Sequence, residues 1–179
     1  MKTLEEMYYS KHRGTTDKGG DHDYIRGYYS NEFSDKRDRS LNFIEIGVHE
    51  GDSIRVWVEW FTNANIYGVD VRPALTIDGA TILSGDAYSS QILDKFENNF
   101  FDYIIDDGPH TIQSQIDCIN RWYPKLKVGG KIIIEDIQDV STISTLESCA
   151  TLNGATHKVF DLRANIGRAD DIIVEVTKV

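Results

Sequence analysis

The sequence predicts a doubly wound α/β fold, a mostly parallel sheet with helices on both faces. Three observations carry that expectation. From residue 41 onward, β-favouring apolar runs alternate with segments of helical period, the pattern of a parallel sheet covered on both sides. The last two apolar runs are joined only by a short polar loop around Gly167, too short for a crossover, so they form an antiparallel pair. With 179 residues the chain has the length of one domain. Residues 41–179 then form the sheet core, and a polar, tyrosine-rich segment 1–40 precedes it.

Residues 42–48, NFIEIGV, give the first strand. The following helix opens at Asp52-Ser53, good capping residues, and Val56, Trp57, Trp60 and Phe61 recur on one of its faces, which makes the tryptophans core. Strands are expected at 65–71, 81–86 and 101–107, with helices at 90–98 and 112–122. Gly129-Gly130 is expected to turn into a fifth strand, 131–137. A helix at 140–149 and the hairpin 156–162 and 171–177 close the chain. Within residues 1–40, helical stretches at 4–10 and 23–29 are expected to form a cap over the sheet edge where ligands bind.

Charge excludes some partners. The chain carries 29 acidic and 19 basic side chains, a formal net charge of −10, so nucleic acid would be repelled on approach. The basic run Lys36-Arg37-Asp38-Arg39 is interrupted by an acid and reads as a solvated linker. A small neutral or cationic ligand fits this balance better. No apolar run approaches the ~18–20 residues that cross a bilayer, and the N-terminus lacks a signal-peptide core. A cytoplasmic protein without a membrane partner is expected, and self-assembly is left open. Cys118 and Cys149 lack metal-ligand spacing and read as buried thiols.

In open α/β sheets ligands bind beyond the carboxyl ends of the strands. The first strand ends Glu45-Ile-Gly47-Val-His-Glu-Gly51, and glycines flanking a tight turn let backbone amides approach a ligand. The dinucleotide fingerprint G-x-G-x-x-G is absent, which argues against NAD. The second strand ends in Asp70, placed to accept from ribose hydroxyls, and the third in Gly85-Asp86-Ala87.

This ordered set resembles the class I S-adenosylmethionine-dependent methyltransferases. The resemblance covers residues 41–179 and implies a Rossmann-like seven-stranded sheet of order 3-2-1-4-5-7-6, the last strand antiparallel. It implies S-adenosylmethionine as cofactor, with Glu45, Gly47, Gly51 and Ser53 at its methionine end, Asp70 on the ribose, Asp86 and Ala87 on the adenine and Asp106 nearby. A narrower likeness is carried by GTTDKGGDHDY (14–24), IEIGVHEGDSIRVW (44–57), IDDGPH (105–110) and IIIEDI (132–137). These segments resemble the metal-dependent macrocin and mycinamicin type of sugar O-methyltransferases. That likeness implies that Thr16, Asp17, Lys18 and Gly19 close over the cofactor's carboxylate end.

In the implied order the fourth and fifth strands are neighbours, so Asp107 and Asp136 would face each other. Carboxylates that close repel unless a cation sits between them, and oxygen-only ligands with no nearby Cys or paired His favour Mg²⁺ or a similar hard ion. The resemblance assigns Asp107, Glu135 and Asp136 as metal ligands. Adjacent strand residues point to opposite faces, so Glu135 and Asp136 share one ion only if the chain bends. His110, three residues past Asp107, is suited to take the proton of an attacking hydroxyl. The resulting expectation is a Mg²⁺-assisted O-methyltransferase acting on a hydroxyl of a sugar or glycoside. A catechol-type O-methyltransferase is the nearest rival, disfavoured by the histidine. A non-catalytic S-adenosylmethionine-binding module is the rival from another class.

Overall fold

The computed structural model describes residues 2–179. Seven strands form one sheet in the order β3-β2-β1-β4-β5-β7-β6: β1 (Leu41–Ile46), β2 (Ala64–Asp70), β3 (Ala80–Ser84), β4 (Phe101–Asp106), β5 (Leu126–Ile134), β6 (Thr156–Asp161) and β7 (Ile172–Thr177). The first five are mutually parallel, and β7 runs antiparallel to both β5 and β6. The order and the terminal hairpin agree with the expectation.

Helices α1 (Leu4–Lys11), α2 (Ser30–Glu32), α3 (Asp52–Trp60), α4 (Ser90–Leu93), α5 (Ile112–Trp122), α6 (Ile143–Leu152) and α7 (Arg163–Ile166) complete the chain, with a π-helical turn over Ile25–Tyr29. A capping box at Thr3 and Glu6 fixes the start of α1, and Thr111 with Ser114 forms another at α5. Among the described residues, no helix is long and apolar enough to cross a membrane.

Two elements depart from their expected bounds. Strand β5 begins at Leu126 rather than 131, because the chain passes through Gly129 at φ 78° without leaving the sheet. There Gly129 N donates to Lys178 O and Lys178 N to Gly130 O, so pairing continues across a register shift. The helix expected over 90–98 stops at Leu93.

Two apolar clusters cover the two faces of the sheet. One packs Ile44, Ile104, Ile132 and Val174 against Trp122 of α5 and Leu146 of α6. The other sets Phe43, Tyr103, Ile133 and Ile173 against Trp57 of α3 and against Leu4, Tyr8, Ile25, Tyr29 and Phe33 from the N-terminal segment. The N-terminal segment is therefore a missing helical layer. It lies flat on one face of the sheet, and Thr15–Asp17 are its residues that line the cavity at the edge where a ligand would sit. Burying Tyr8, Tyr29 and Phe33 completely yields about 1.5–3 kcal/mol for each large side chain, which holds a segment with little helix of its own.

Candidate active site

A cavity of about 780 Å³ opens at the carboxyl ends of β1, β2 and β4. Of the residues expected at a cofactor, Thr16, Gly47, Ser53, Asp70, Asp86 and Ala87 line it, and so do Asp107 and His110. Gly47 stands at φ 88°, and a Cβ there would lie 1.9 Å from Asp107 O. Only glycine therefore lets the β1 turn pass under the β4 turn. Asp70 accepts from the amides of Val48 (3.0 Å) and His49 (2.8 Å), and from the amide of Arg72 (2.9 Å) and its guanidinium. Burial alone would raise this carboxyl; the hydrogen bonds from Arg72 and His49 outweigh it and draw the group down to about 2.

Strand alternation sorts the acids. Glu45, Asp107 and Glu135 face the N-terminal layer, whereas Asp106 points to the α5 side and accepts from Tyr88 Oη at 2.8 Å. Asp106 thus lies outside the cavity wall, its Oδ2 buried without a hydrogen-bond partner. Burial pushes its carboxyl up to about 7 against the hydrogen bonds of Tyr88 and the Gly108 amide.

Four further expectations need correction. Glu45 is wholly buried, accepting from Ser53 Oγ (2.7 Å) and Trp57 Nε1 (2.5 Å), so it braces α3 and does not meet the cavity. Gly51 caps α3 from behind the cavity wall, against Leu75 and Ile77. Lys18 and Gly19 turn away from the cavity: Gly19 sits on the Tyr8 ring, and Lys18 is 1% exposed. Its ammonium donates to Asp107 Oδ2 at 2.6 Å and to Glu135 Oε2, and lies 3.5 Å from Glu45 Oε1. Glu135 gives its other oxygen to Tyr29 Oη at 2.6 Å, so its carboxylate does not join the metal group.

The group that does form is Asp107, His110 and Asp136, whose ligand atoms lie within 4.8 Å of one another. Asp136 follows Glu135 with φ 55°, and this left-handed bend, which strand alternation alone forbids, brings its side chain round to His110. Asp107 Oδ1 is 3.7 Å and Asp136 Oδ2 3.5 Å from His110 Nε2. Each acid has its other oxygen held by protein: Asp107 Oδ2 by Lys18, and Asp136 Oδ1 by Tyr24 Oη at 2.7 Å with His22 Nε2 at 3.3 Å. Two carboxylate oxygens therefore converge beside an imidazole nitrogen, and the oxygen pair suits a hard divalent cation. Burial and the neighbouring acids hold Asp107 and Glu135 above the carboxylate range, Glu135 at about 8, even though Lys18 pulls both down. One ammonium does not balance the cluster.

A second trio, His22, Asp136 and Asp170, also falls within the same spacing. Its oxygens are engaged, since Asp170 accepts from Gln138 and Arg168 and Asp136 from Tyr24. It works as a brace for Asp136. His22, Tyr24, Tyr28 and Tyr29 carried no individual assignment in the sequence. The signal was the acids set inside apolar strand runs, Glu45, Glu135 and Glu175, opposite a tyrosine-rich segment able to donate to them.

Comparison with known proteins agrees with this geometry. A family model described as a methyltransferase domain matches residues 44–137. The mycinamicin VI 2''-O-methyltransferase of Micromonospora griseorubida is 30% identical over 133 residues, covering 68% of this chain and 33% of the relative. The demethylmacrocin O-methyltransferase of Streptomyces fradiae is 27% identical over 136 residues, 70% of this chain and 34% of the relative. The chain thus spans about a third of the length of these relatives. Among solved structures, the MycE methyltransferase from the mycinamycin biosynthetic pathway, in complex with Mg and SAH, superposes with a TM-score of 0.74 at 21% identity, over 99% of this chain and 55% of that one. With the model spanning more than half of the residues and strand order, glycine turn and acid tier all in place, the chain belongs to the methyltransferase domain family.

Proposed function

We propose that the protein is an S-adenosylmethionine-dependent, Mg²⁺-assisted O-methyltransferase acting on a hydroxyl of a sugar or glycoside. The observation that carries this reading is the convergence of Asp136 on Asp107 and His110, two residues in the wall of the cavity that also holds the Gly47 turn, Asp70 and Asp86. The names of the relatives, all sugar or macrolide O-methyltransferases where a reaction is named, support the choice of acceptor.

Gly47 and the amides after it would accept the methionine end of the cofactor, and Asp70, already charged and fixed by backbone amides, would receive the ribose. Asp107 and Asp136 would hold the cation, each through the oxygen not bound to protein. When bound, the sulfonium donor supplies the methyl group and the divalent ion makes a nearby hydroxyl more acidic. His110 Nε2, held between the two acids, takes the hydroxyl proton as the oxygen becomes the nucleophile. Thr16 and Asp17 line the cavity from the N-terminal side.

The test is direct. The protein, S-adenosylmethionine and Mg²⁺ are incubated with a panel of deoxyhexosides, and S-adenosylhomocysteine is quantified. Acceptor-dependent product that disappears with EDTA and returns with Mg²⁺ is expected. Product formation indifferent to chelator, or confined to catechols, would refute the proposal.

A further inference from the structure

Asp70, at the end of β2, is a carboxylate with no acceptor position to spare. Its Oδ2 accepts from the amides of Val48 at 3.0 Å and His49 at 2.8 Å and from Arg72 Nη2 at 3.3 Å. Its Oδ1 accepts from the Arg72 amide at 2.9 Å and from Arg72 Nε at 3.2 Å. An ionised carboxylate offers about four lone-pair positions, and these donors fill them. The Arg72 guanidinium and a pair of ribose hydroxyls therefore cannot hold this group together.

The donors differ in how firmly the fold holds them. Gly51 N donates to Val48 O and closes the β1 turn, while Ser84 Oγ donates to Arg72 O at 2.8 Å and ties the Arg72 backbone to the end of β3. The amides are thus fixed. The guanidinium hangs on a side chain that is 41% exposed in the wall of the same cavity, and Glu50 Oε1, 3.4 Å from Arg72 Nη1, offers it a second partner.

We propose, on the reading of Asp70 as the ribose acid given above, that Arg72 is an internal competitor for the ribose subsite: guanidinium and ribose hydroxyls exchange on Asp70, and that exchange sets cofactor affinity. With the side chain withdrawn toward Glu50, Oδ1 keeps the Arg72 amide alone and has room for a hydroxyl. The amides of Val48 and His49 still hold Oδ2, so the carboxylate keeps its place. Run backwards, the same exchange helps to expel S-adenosylhomocysteine after transfer.

The experiment is calorimetric titration with S-adenosylhomocysteine of wild type, of Arg72→Met, which keeps the apolar stem and removes the donors, and of Arg72→Lys, which keeps the charge and removes the fork. Arg72→Met is expected to bind about three- to tenfold more tightly than wild type, the size of a partly exposed, charge-assisted contact, with Arg72→Lys in between. Raising NaCl from about 0.05 M to about 0.5 M screens an exposed ion pair, so the affinities of wild type and Arg72→Met should converge. Equal affinity at low salt, weaker binding by Arg72→Met, or a gap that salt leaves unchanged would overturn the proposal. Should Arg72→Met fail to fold, Arg72→Lys carries the test, tighter binding being expected and equal or weaker binding overturning the exchange. If neither wild type nor either variant binds S-adenosylhomocysteine, the cofactor reading itself falls and the exchange with it; binding by Arg72→Met alone would support the exchange in its strongest form.

Discussion

His110 Nε2 stands 3.5 Å from Asp136 Oδ2, and both residues occupy the left-handed backbone region at φ 55°. Such a conformation costs a non-glycine residue about 1–3 kcal/mol, and here two chain ends adopt it to aim at one another. His110→Ala is expected to lower methyl transfer by about 10²–10⁴-fold, the usual contribution of a positioned base. Calorimetric binding of S-adenosylhomocysteine should be unaffected, and a variant turning over at the wild-type rate would remove His110 from the mechanism.

Tyr24 Oη donates to Asp136 Oδ1 and accepts from the Asp136 amide. It fixes both the bend and the carboxylate. Tyr24→Phe leaves His22 as the remaining partner of that oxygen, and loss of an outer hydrogen bond of this kind costs about 10–100-fold in metal affinity. Mn²⁺ titration should show the loss, and unchanged affinity would remove Tyr24 from the support of Asp136.

Gly47→Ala places a methyl group 1.9 Å from Asp107 O at a φ of 88°. Strain and displaced backbone together should destabilise the fold by about 2–4 kcal/mol. Urea unfolding measures this directly, and a variant as stable as wild type would mean that the β1 and β4 turns do not touch as described.

Burial raises the Asp106 carboxyl to about 7, whereas an unfolded chain holds an aspartate near ~3.9. Between those values the native state binds the proton and the unfolded state does not. Stability therefore falls as pH rises from about 4 to about 7, and the contribution is level above that. Asp106→Asn cannot titrate, so its loss of stability between about pH 5 and about pH 8 should be smaller than that of wild type. Identical pH slopes in urea melts would show that Asp106 is an ordinary acid.

The sheet was legible because β-branched apolar runs such as Lys131–Ile134 and Ile172–Thr177 have no other stable home, and because the 161–172 connection is too short to cross over. Asp107 and Asp136 were read together because the implied strand order makes β4 and β5 neighbours, and His110 because it stands three residues past Asp107. Glu135 was expected beside Asp136 at the metal, and on its face of the strand it meets Tyr29 and Lys18. Lys18 itself sits in a polar turn whose composition is that of a solvated loop, and a buried lysine there carries no periodic mark. Which residues donate to the in-strand acids Glu45, Glu135 and Glu175 depends on how the N-terminal layer lies across the sheet.

That layer has a consequence for biogenesis. Tyr28 bonds to Glu175, 147 positions away, Lys18 to Glu135 across 117, and the amide of Asp23 to Asp171 across 148. Residues 18–28 must wait for partners made 117 or more positions later before their polar groups find a mate. Until β7 has been synthesised, the nascent sheet displays naked carboxylates and the segment before β1 has no completed surface on which to settle, so folding of this unit is expected to be slow relative to folds whose contacts are local.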